Sequence, residues 1–309
     1  MEILLISGFL GSGKTTLIKH LLTSQIQKFG KVALIVNEVG DVGIDGTLLS
    51  GQDVDMVEIT SGCICCTIKT DFSRAVQEIH DRVDPDFLIV EATGVAQPGD
   101  ILDALFEPPM SEYSRLRGLV TVVDADIFKA REIFGTFYNN QIQSADTLIL
   151  NKVDLIEPQS LQEIEALLGE MNPGARILPT PDCAVAPPLL LQGDPDVPSG
   201  HPHGHHDHGS FDEMGFQTFS FEDERPMHKE KLIEFLESLS PTLFRLKGWV
   251  RFPDVSAHLD FTGGRYSIRP MDGPRATALT FVGRNCSETQ ILEALEDCLV
   301  DDREVNGAS

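Results

Sequence analysis

The chain has 309 residues and carries 24 Lys and Arg against 48 Asp and Glu, a formal net charge of −24. That length exceeds the usual single-domain size and predicts two domains. The charge would repel the nucleic-acid backbone and anionic membrane surfaces, so neither is an expected partner, whereas cationic ligands suit it. No apolar run approaches the roughly 20 residues of a membrane span. The opening apolar run is too short, and lacks the basic flank, for a secretory signal, so the expected location is the cytoplasm.

Residues 2–7 form an apolar run of strand length, and from 16 to 22 apolar residues recur at helical spacing. Between them, Gly8-Phe-Leu-Gly-Ser-Gly-Lys-Thr15 fits the phosphate-binding pattern G-x-x-x-x-G-K-[ST] in the strand, loop and helix context that pattern requires. Gly8, Gly11, Ser12 and Gly13 would turn backbone N–H groups toward phosphate oxygens at a helix N-terminus, whose dipole also favours anions. Lys14 would reach the β- and γ-phosphates as the main catalytic cation. The Thr15 hydroxyl would ligate Mg²⁺, and Thr16 belongs to the same nucleotide-binding set.

Further strands are predicted at 31–37, 54–59, 86–91, 118–124, 147–150 and 175–178. Phe72, Val76, Ile79 and Val83 share one helical face, and Leu161, Ile164, Leu167 and Leu168 another. Wholly apolar strands alternating with helices predict an α/β fold over residues 1–180. Its sheet would be doubly wound and mainly parallel, as in P-loop NTPases, with ligands at the C-terminal ends of the strands. Residues 181–214 repeat Pro, Gly, Asp and His without apolar period and read as a flexible linker. Residues 215–309 read as a smaller α+β domain. Its strands fall at 216–221, 244–252, 258–261, 265–268 and 278–282; one helix carries Leu232, Phe235, Leu236 and Leu239, and a last one Ile291, Leu292, Leu295 and Leu299.

Several strand ends carry further signals. Asn151-Lys-Val-Asp154 follows the strand at 147–150. Guanine presents two N–H donors side by side, which the single carboxylate of Asp154 can accept together, and adenine has no such pair. Asn151 would tie this loop to the base and to the phosphate loop, with the Lys152 stem along the base. A solvated turn uses the same residue types, but the position after a phosphate loop favours GTP. Residues 179–181 are a positional candidate for the second base-contacting loop. Glu91-Ala-Thr-Gly94 closes the strand at 86–91, where Glu91 would act catalytically by holding the Mg²⁺ shell and the Gly94 N–H would sense the γ-phosphate. An acid ending a buried strand can also be a turn former. Residues 37–46 place three glycines among Glu38, Asp41 and Asp45, the composition of a switch loop that orders against γ-phosphate and Mg²⁺.

Three of the six cysteines, Cys63, Cys65 and Cys66, fall within four positions, while Cys183, Cys286 and Cys298 are scattered. Clustering in a cytosolic chain favours metal or redox chemistry over a disulfide framework. Cys65 and Cys66 are the favoured ligands, with Glu38 reaching in from the switch. Sulfur donors suit Zn²⁺, and ligand type admits Co²⁺ or Fe²⁺ as well; a redox pair or packed thiols are the alternatives. His201, His203, His205, His206 and His208 lie within eight residues of the linker, where neutral imidazoles would gather Zn²⁺, Ni²⁺ or Co²⁺ loosely.

In this order the phosphate loop, N-E-V-G-D-V-G-I-D-G, S-G-C-I-C-C-T, E-A-T-G and N-K-V-D resemble the CobW-like family of P-loop metal-centre GTPases, relatives of the urease and hydrogenase nickel-insertion GTPases. Arg245-Leu-Lys-Gly-Trp249 is similar to that family's R-x-K-G segment. The resemblance covers nearly the whole chain. It implies GTP hydrolysis to GDP coupled to transfer of a metal, usually zinc, onto a client protein, with Glu38, Cys65 and Cys66 as the internal metal site. A nucleotide- or metal-dependent dimer is compatible with it. Val39 stands where the family usually has Phe, and Asp41 where it has Glu. The expected function is a GTP-hydrolysing metallochaperone using GTP, Mg²⁺ and Zn²⁺. The competing expectations are a GTP-regulated metal buffer or sensor without delivery, and a P-loop kinase.

Overall fold

The computed structural model describes residues 1–24, 30–39, 55–61, 68–94, 98–191, 216–240, 242–262, 264–271, 273–284 and 286–300. Its contacts divide the chain into two units, 1–206 and 207–309.

The first unit is built on seven strands: β1 Glu2–Gly8, β2 Val32–Val39, β3 Asp55–Ser61, β4 Phe87–Glu91, β5 Arg115–Asp124, β6 Thr147–Asn151 and β7 Arg176–Thr180. They lie in the order β3-β2-β4-β1-β5-β6-β7, and every neighbouring pair is parallel. The sequence reading of a mainly parallel sheet thus becomes a wholly parallel one. The helices of ordinary length here are α1 Lys14–Thr23, α2 Ile68–Val83, α3 Pro98–Phe106, α4 Thr136–Gln143 and α5 Pro158–Met171.

The apolar strand runs follow from burial on both faces. In β1, Leu4 and Ile6 join one core with Leu17 and Leu21 of α1. Ile3 and Leu5, pointing the other way, join a second core with Val76 and Ile79 of α2 and Ile101 and Leu105 of α3. Each buried Leu or Ile side chain contributes about 1.5–3 kcal/mol by removal from water. Residues 181–191, read from sequence as the start of a linker, differ from that reading. Cys183, Val185 and Leu190 are buried in the α1-side core, and Pro187–Leu191 forms a short helix. The prolines that suggested a linker punctuate a packed segment.

The second unit is a five-stranded antiparallel sheet: β8 Phe216–Asp223, β9 Leu243–Arg251, β10 Ser256–Thr262, β11 Arg265–Met271 and β12 Thr277–Arg284, ordered β11-β10-β9-β12-β8. Two helices, α6 Lys229–Ser238 and α7 Glu288–Glu296, cover one face. Leu232, Phe235, Leu236 and Leu295 from the helices close a core with Leu246, Val250, Leu259, Phe261, Leu279 and Phe281 from the sheet. Gly248 explains the glycine of the R-x-K-G segment. Its φ is +153°, and a Cβ there would run into the Ala278 carbonyl of the neighbouring strand.

Candidate nucleotide and metal site

Because all seven strands of the first unit are parallel, their C-terminal ends share one edge. That edge carries the loop after Gly8, the tip at Glu91, Asp124, and the turn beginning at Asn151.

The phosphate loop is held from below and from the side. Phe9, fully buried, stacks among Phe134, Phe137 and Tyr138, with ring centroids 4.4, 5.8 and 5.8 Å away. Gly13 has a φ of +119°, and a Cβ there would lie 2.5 Å from Asn151 Nδ2 and 2.9 Å from Cys183 Sγ, so only glycine fits. The Lys14 ammonium, 6% exposed, donates to the carbonyls of Gly8 and Phe9 at 2.9 and 3.3 Å. Ser12 Oγ is buried and makes no hydrogen bond among the described residues, which leaves a donor for an anionic oxygen.

Thr15 and Glu91, paired for Mg²⁺ in the sequence reading, meet in space. Thr15 Oγ1 donates to Glu91 Oε1 at 3.2 Å. Two hard oxygen donors beside a phosphate loop fit Mg²⁺, which takes one or two protein ligands and leaves the rest to phosphate and water. Gly94 lies against Leu10 of the phosphate loop, and its carbonyl accepts from Gln141 Nε2 of α4 at 3.3 Å.

The Asn151 turn is tied to the same loop. Asn151 Nδ2 donates to Ser12 O at 2.8 Å, and its Oδ1 accepts from the Cys183 N–H at 2.9 Å. One buried amide therefore links the phosphate loop, the β6 end and the segment after β7. That segment lies slightly beyond the positional candidate at 179–181. Lys152 sits at φ +62°, a strained backbone state for a non-glycine residue. Its ammonium donates to Gly11 O at 2.7 Å and pairs with Asp124 Oδ2 at 2.6 Å. Asp154 follows in an exposed 3₁₀ turn, open to a base.

Asp124 was missed in the sequence reading, although it ends the apolar run of β5 as Glu91 ends that of β4. Its side chain is fully buried and its second oxygen accepts from the Asp126 N–H at 3.0 Å. Burial first, then the Asp124 charge, raises the Tyr138 phenol above its ordinary value. Burial, helped by the neighbouring Asp182 carboxylate, pushes the Cys183 thiol up to about 12. Burial also raises Cys286 and Cys298. These three stay neutral thiols near pH 7. His20, which sequence left without a role, lies 3.3 Å from Asp182.

Glu38 lies in β2, in register with Thr60 of β3. Asp41, Asp45, Cys63, Cys65, Cys66 and the histidines His201, His203, His205, His206 and His208 lie outside the described residues. Among the described residues no group of three or more His, Cys, Asp and Glu could hold a metal ion, and no helix is long and apolar enough to cross a membrane.

A doubly wound parallel sheet whose central strand enters a glycine loop and a Lys-Thr helix start defines a P-loop NTPase fold. The pattern of the CobW/HypB/UreG nucleotide-binding domain matches residues 2–179, and that of the cobalamin synthesis protein cobW C-terminal domain matches 216–299; the chain belongs to this family. The zinc chaperone CobW of Pseudomonas aeruginosa is 28% identical over 350 aligned residues, covering 97% of this chain and 92% of that protein. The zinc-regulated GTPase metalloprotein activator 1 of Dictyostelium discoideum is 26% identical over 387 residues, covering 99% and 81%. A Sinorhizobium zinc chaperone CobW is 33% identical over 188 residues, 52% of this chain and 52% of that protein, so the match spans about half its length. The solved zinc-bound YjiA GTPase from E. coli aligns over 97% of this chain and 99% of that one at 21% identity, with a TM-score of 0.46.

Proposed function

We propose that the protein is a GTP-hydrolysing metallochaperone that takes up a transition metal, zinc first among candidates, at Glu38, Cys65 and Cys66 and hands it to a client protein. The observation that carries this reading is the convergence at one sheet edge. The phosphate loop, the Thr15–Glu91 pair and the Asn151–Lys152 turn are joined there by direct hydrogen bonds. β2 and β3, parallel to the other strands, end at Val39 and Ser61 on that same edge, so Glu38 sits at the end of its strand there and the cysteines follow Ser61 in sequence. The names of the relatives, zinc chaperone and zinc-regulated GTPase, support zinc as the cargo.

In this reading the N–H groups of residues 11–15 and the Lys14 ammonium bind the β- and γ-phosphates, and Asp154 selects guanine. Thr15 and Glu91 hold Mg²⁺, which when bound spreads charge off the phosphate oxygens. Lys152, fixed between Gly11 and Asp124, keeps the base turn at a set distance from the phosphate loop. Loss of the γ-phosphate relaxes the switch carrying Glu38 and removes one ligand from the cargo metal. His201 to His208 gather metal loosely for this site.

The test is reciprocal binding. If Glu38 and the two cysteines share one ion, GTP and Zn²⁺ strengthen each other's binding by the same factor, roughly 5- to 150-fold for a coupling of about 1–3 kcal/mol. Zn²⁺ titration against a chromophoric chelator, in protein lacking residues 201–208, should show this gain with a non-hydrolysable GTP analogue and lose it with GDP. Cys65→Ser with Cys66→Ser should abolish it and spare GDP binding. Equal zinc affinity in both nucleotide states would reject the switch, and coupling without transfer to any apo-client would leave a GTP-regulated buffer.

A further inference from the structure

The second unit has one sheet face closed by helices; on the other, Lys247, Thr262 and Val282 are buried while Arg251 and Arg269 are exposed. The strand register places Arg245, Lys247, Arg251, Arg265, Arg269 and Arg284 on the face opposite the core, against Glu222 and Asp260 as its acids. The helices carry more acid than base, with Glu230, Glu234 and Glu237 beside Lys229 and Lys231 on α6, and Glu288, Glu293 and Glu296 on α7. In a chain of net charge −24, this unit sorts its charges by face.

The chain's one tryptophan sits in the middle of the basic face. Trp249 is in register with His258 on one side and Ala278 on the other, and the His258 ring meets its edge at 5.1 Å. The Arg275 guanidinium lies over the indole at 4.4 Å, and Arg269 pairs across from His258. Arg251, Arg269 and Arg275 are exposed. A guanidinium stacked by its face keeps its N–H edges free in geometry to grip a carboxylate with two bonds. Beside this patch a cavity of about 330 Å³ opens among Arg251, Asp254, Val255, Ser256, Met271 and Pro274, a recess of mixed polarity with one cation and one acid in its lining. Val255 is 40% exposed there. Tryptophan and arginine are the side chains over-represented among residues that dominate binding at protein interfaces.

We propose that this face docks an acidic peptide segment of the client protein, with carboxylates on Arg251, Arg269 and Arg275 and a neighbouring apolar side chain in the recess. The proposal rests on the metallochaperone reading for the word client, and the peptide chemistry follows from charge complementarity. In a chain of net acidic charge, a cluster of exposed arginines favours an acidic partner at this place, so the arrangement orients the encounter as well as holding it.

The experiment measures polarisation of a fluorescein-labelled peptide of alternating Glu and Leu with the full-length protein. Arg269→Glu with Arg275→Glu should weaken binding roughly tenfold or more. Lys229→Glu with Lys231→Glu, an equal charge change on α6, should leave it within about twofold. Added salt should weaken the wild-type complex. Equal losses in both variants, or none in either, would overturn the proposal. So would tighter binding of a single-stranded oligonucleotide than of the peptide, which would mark a nucleic-acid surface. GTP turnover and zinc titration on the same proteins separate the two readings. Peptide binding without turnover would sink the metallochaperone alone, whereas intact turnover and zinc binding without peptide binding would sink the docking face alone.

Discussion

The two sheets handle their strands differently. In the first unit every strand is parallel and the central strands β1 and β4 are buried on both faces, so the functional residues collect where strands end. In the second unit the sheet is antiparallel with helices on one face, and the other face carries exposed arginines, Arg251 and Arg269, beside the buried Lys247. A fold with two covered faces builds sites from loops and helix starts, whereas one with an open face can present a side-chain array in strict register.

The largest expected effect breaks the edge and spares the face. Lys14→Ala removes the cation at the phosphate loop and should lower kcat/KM for GTP roughly 100-fold or more. Near-UV circular dichroism of Trp249 should stay unchanged, since that signal comes from the second unit. Next, Leu246→Ala opens a cavity under the antiparallel sheet, where Leu246 is fully buried. It should cost about 3 kcal/mol, seen as an earlier melt of the Trp249 signal, with GTP turnover at room temperature nearly unaltered. A joint loss of both signals would mean that the two sheets unfold as one.

Asp124→Asn probes the edge more gently. It leaves the Lys152 ammonium beside Gly11 O without its buried carboxylate and should cost about 2 kcal/mol of first-unit stability, scaled down because Lys152 is 24% exposed. GDP affinity should fall with it and turnover per bound GTP should change less, a difference that fluorescent-nucleotide titration and single-turnover kinetics separate. The smallest effect concerns Cys183. Its thiol stays protonated until well above pH 9, because burial raises it to about 12. This raised value adds stability that is present below the unfolded thiol's pKa and is lost as pH rises through the folded one. Alkylation at pH 8 followed by peptide mapping should find Cys183 modified slowly, and guanine nucleotide should slow it further by fixing the loop.

Strands such as β1 and β4 were legible because burial on two faces leaves apolar runs; all seven of the first unit and all five of the second appear near their expected positions. The helices between 98 and 143 were not. In α4, buried Gln141 occupies a position that apolar periodicity would reserve for a hydrocarbon, and its reason is tertiary, a bond to the Gly94 carbonyl. The phosphate loop and the N-K-x-D turn were readable as motifs, and so was the tie from Asn151 to the phosphate loop, seen as its bond to Ser12 O. Nothing local in the sequence says that Asn151 also anchors to the Cys183 N–H. Asp124 was within reach, because an acid ending a buried strand was the same signal that singled out Glu91. The basic face was hidden by spacing: its arginines are scattered from 245 to 284 and converge only through strand register.

The central position of β1 has a consequence for how the chain becomes active as it is made. Glu2–Gly8 is synthesised before both of its partners, β4, where Ile3 meets Leu88, and β5, where Leu4 meets Gly118. The opening strand therefore waits for more than a hundred residues of later synthesis, and the amide that fastens the phosphate loop, Asn151, arrives later still, with its Cys183 anchor after that. At translation rates of about 5–20 residues per second, the nascent segment spends on the order of ten seconds without its mates. Nucleotide binding is thus a late acquisition of the growing polypeptide, and a chain stalled before Cys183 would display the glycine motif without a formed cradle.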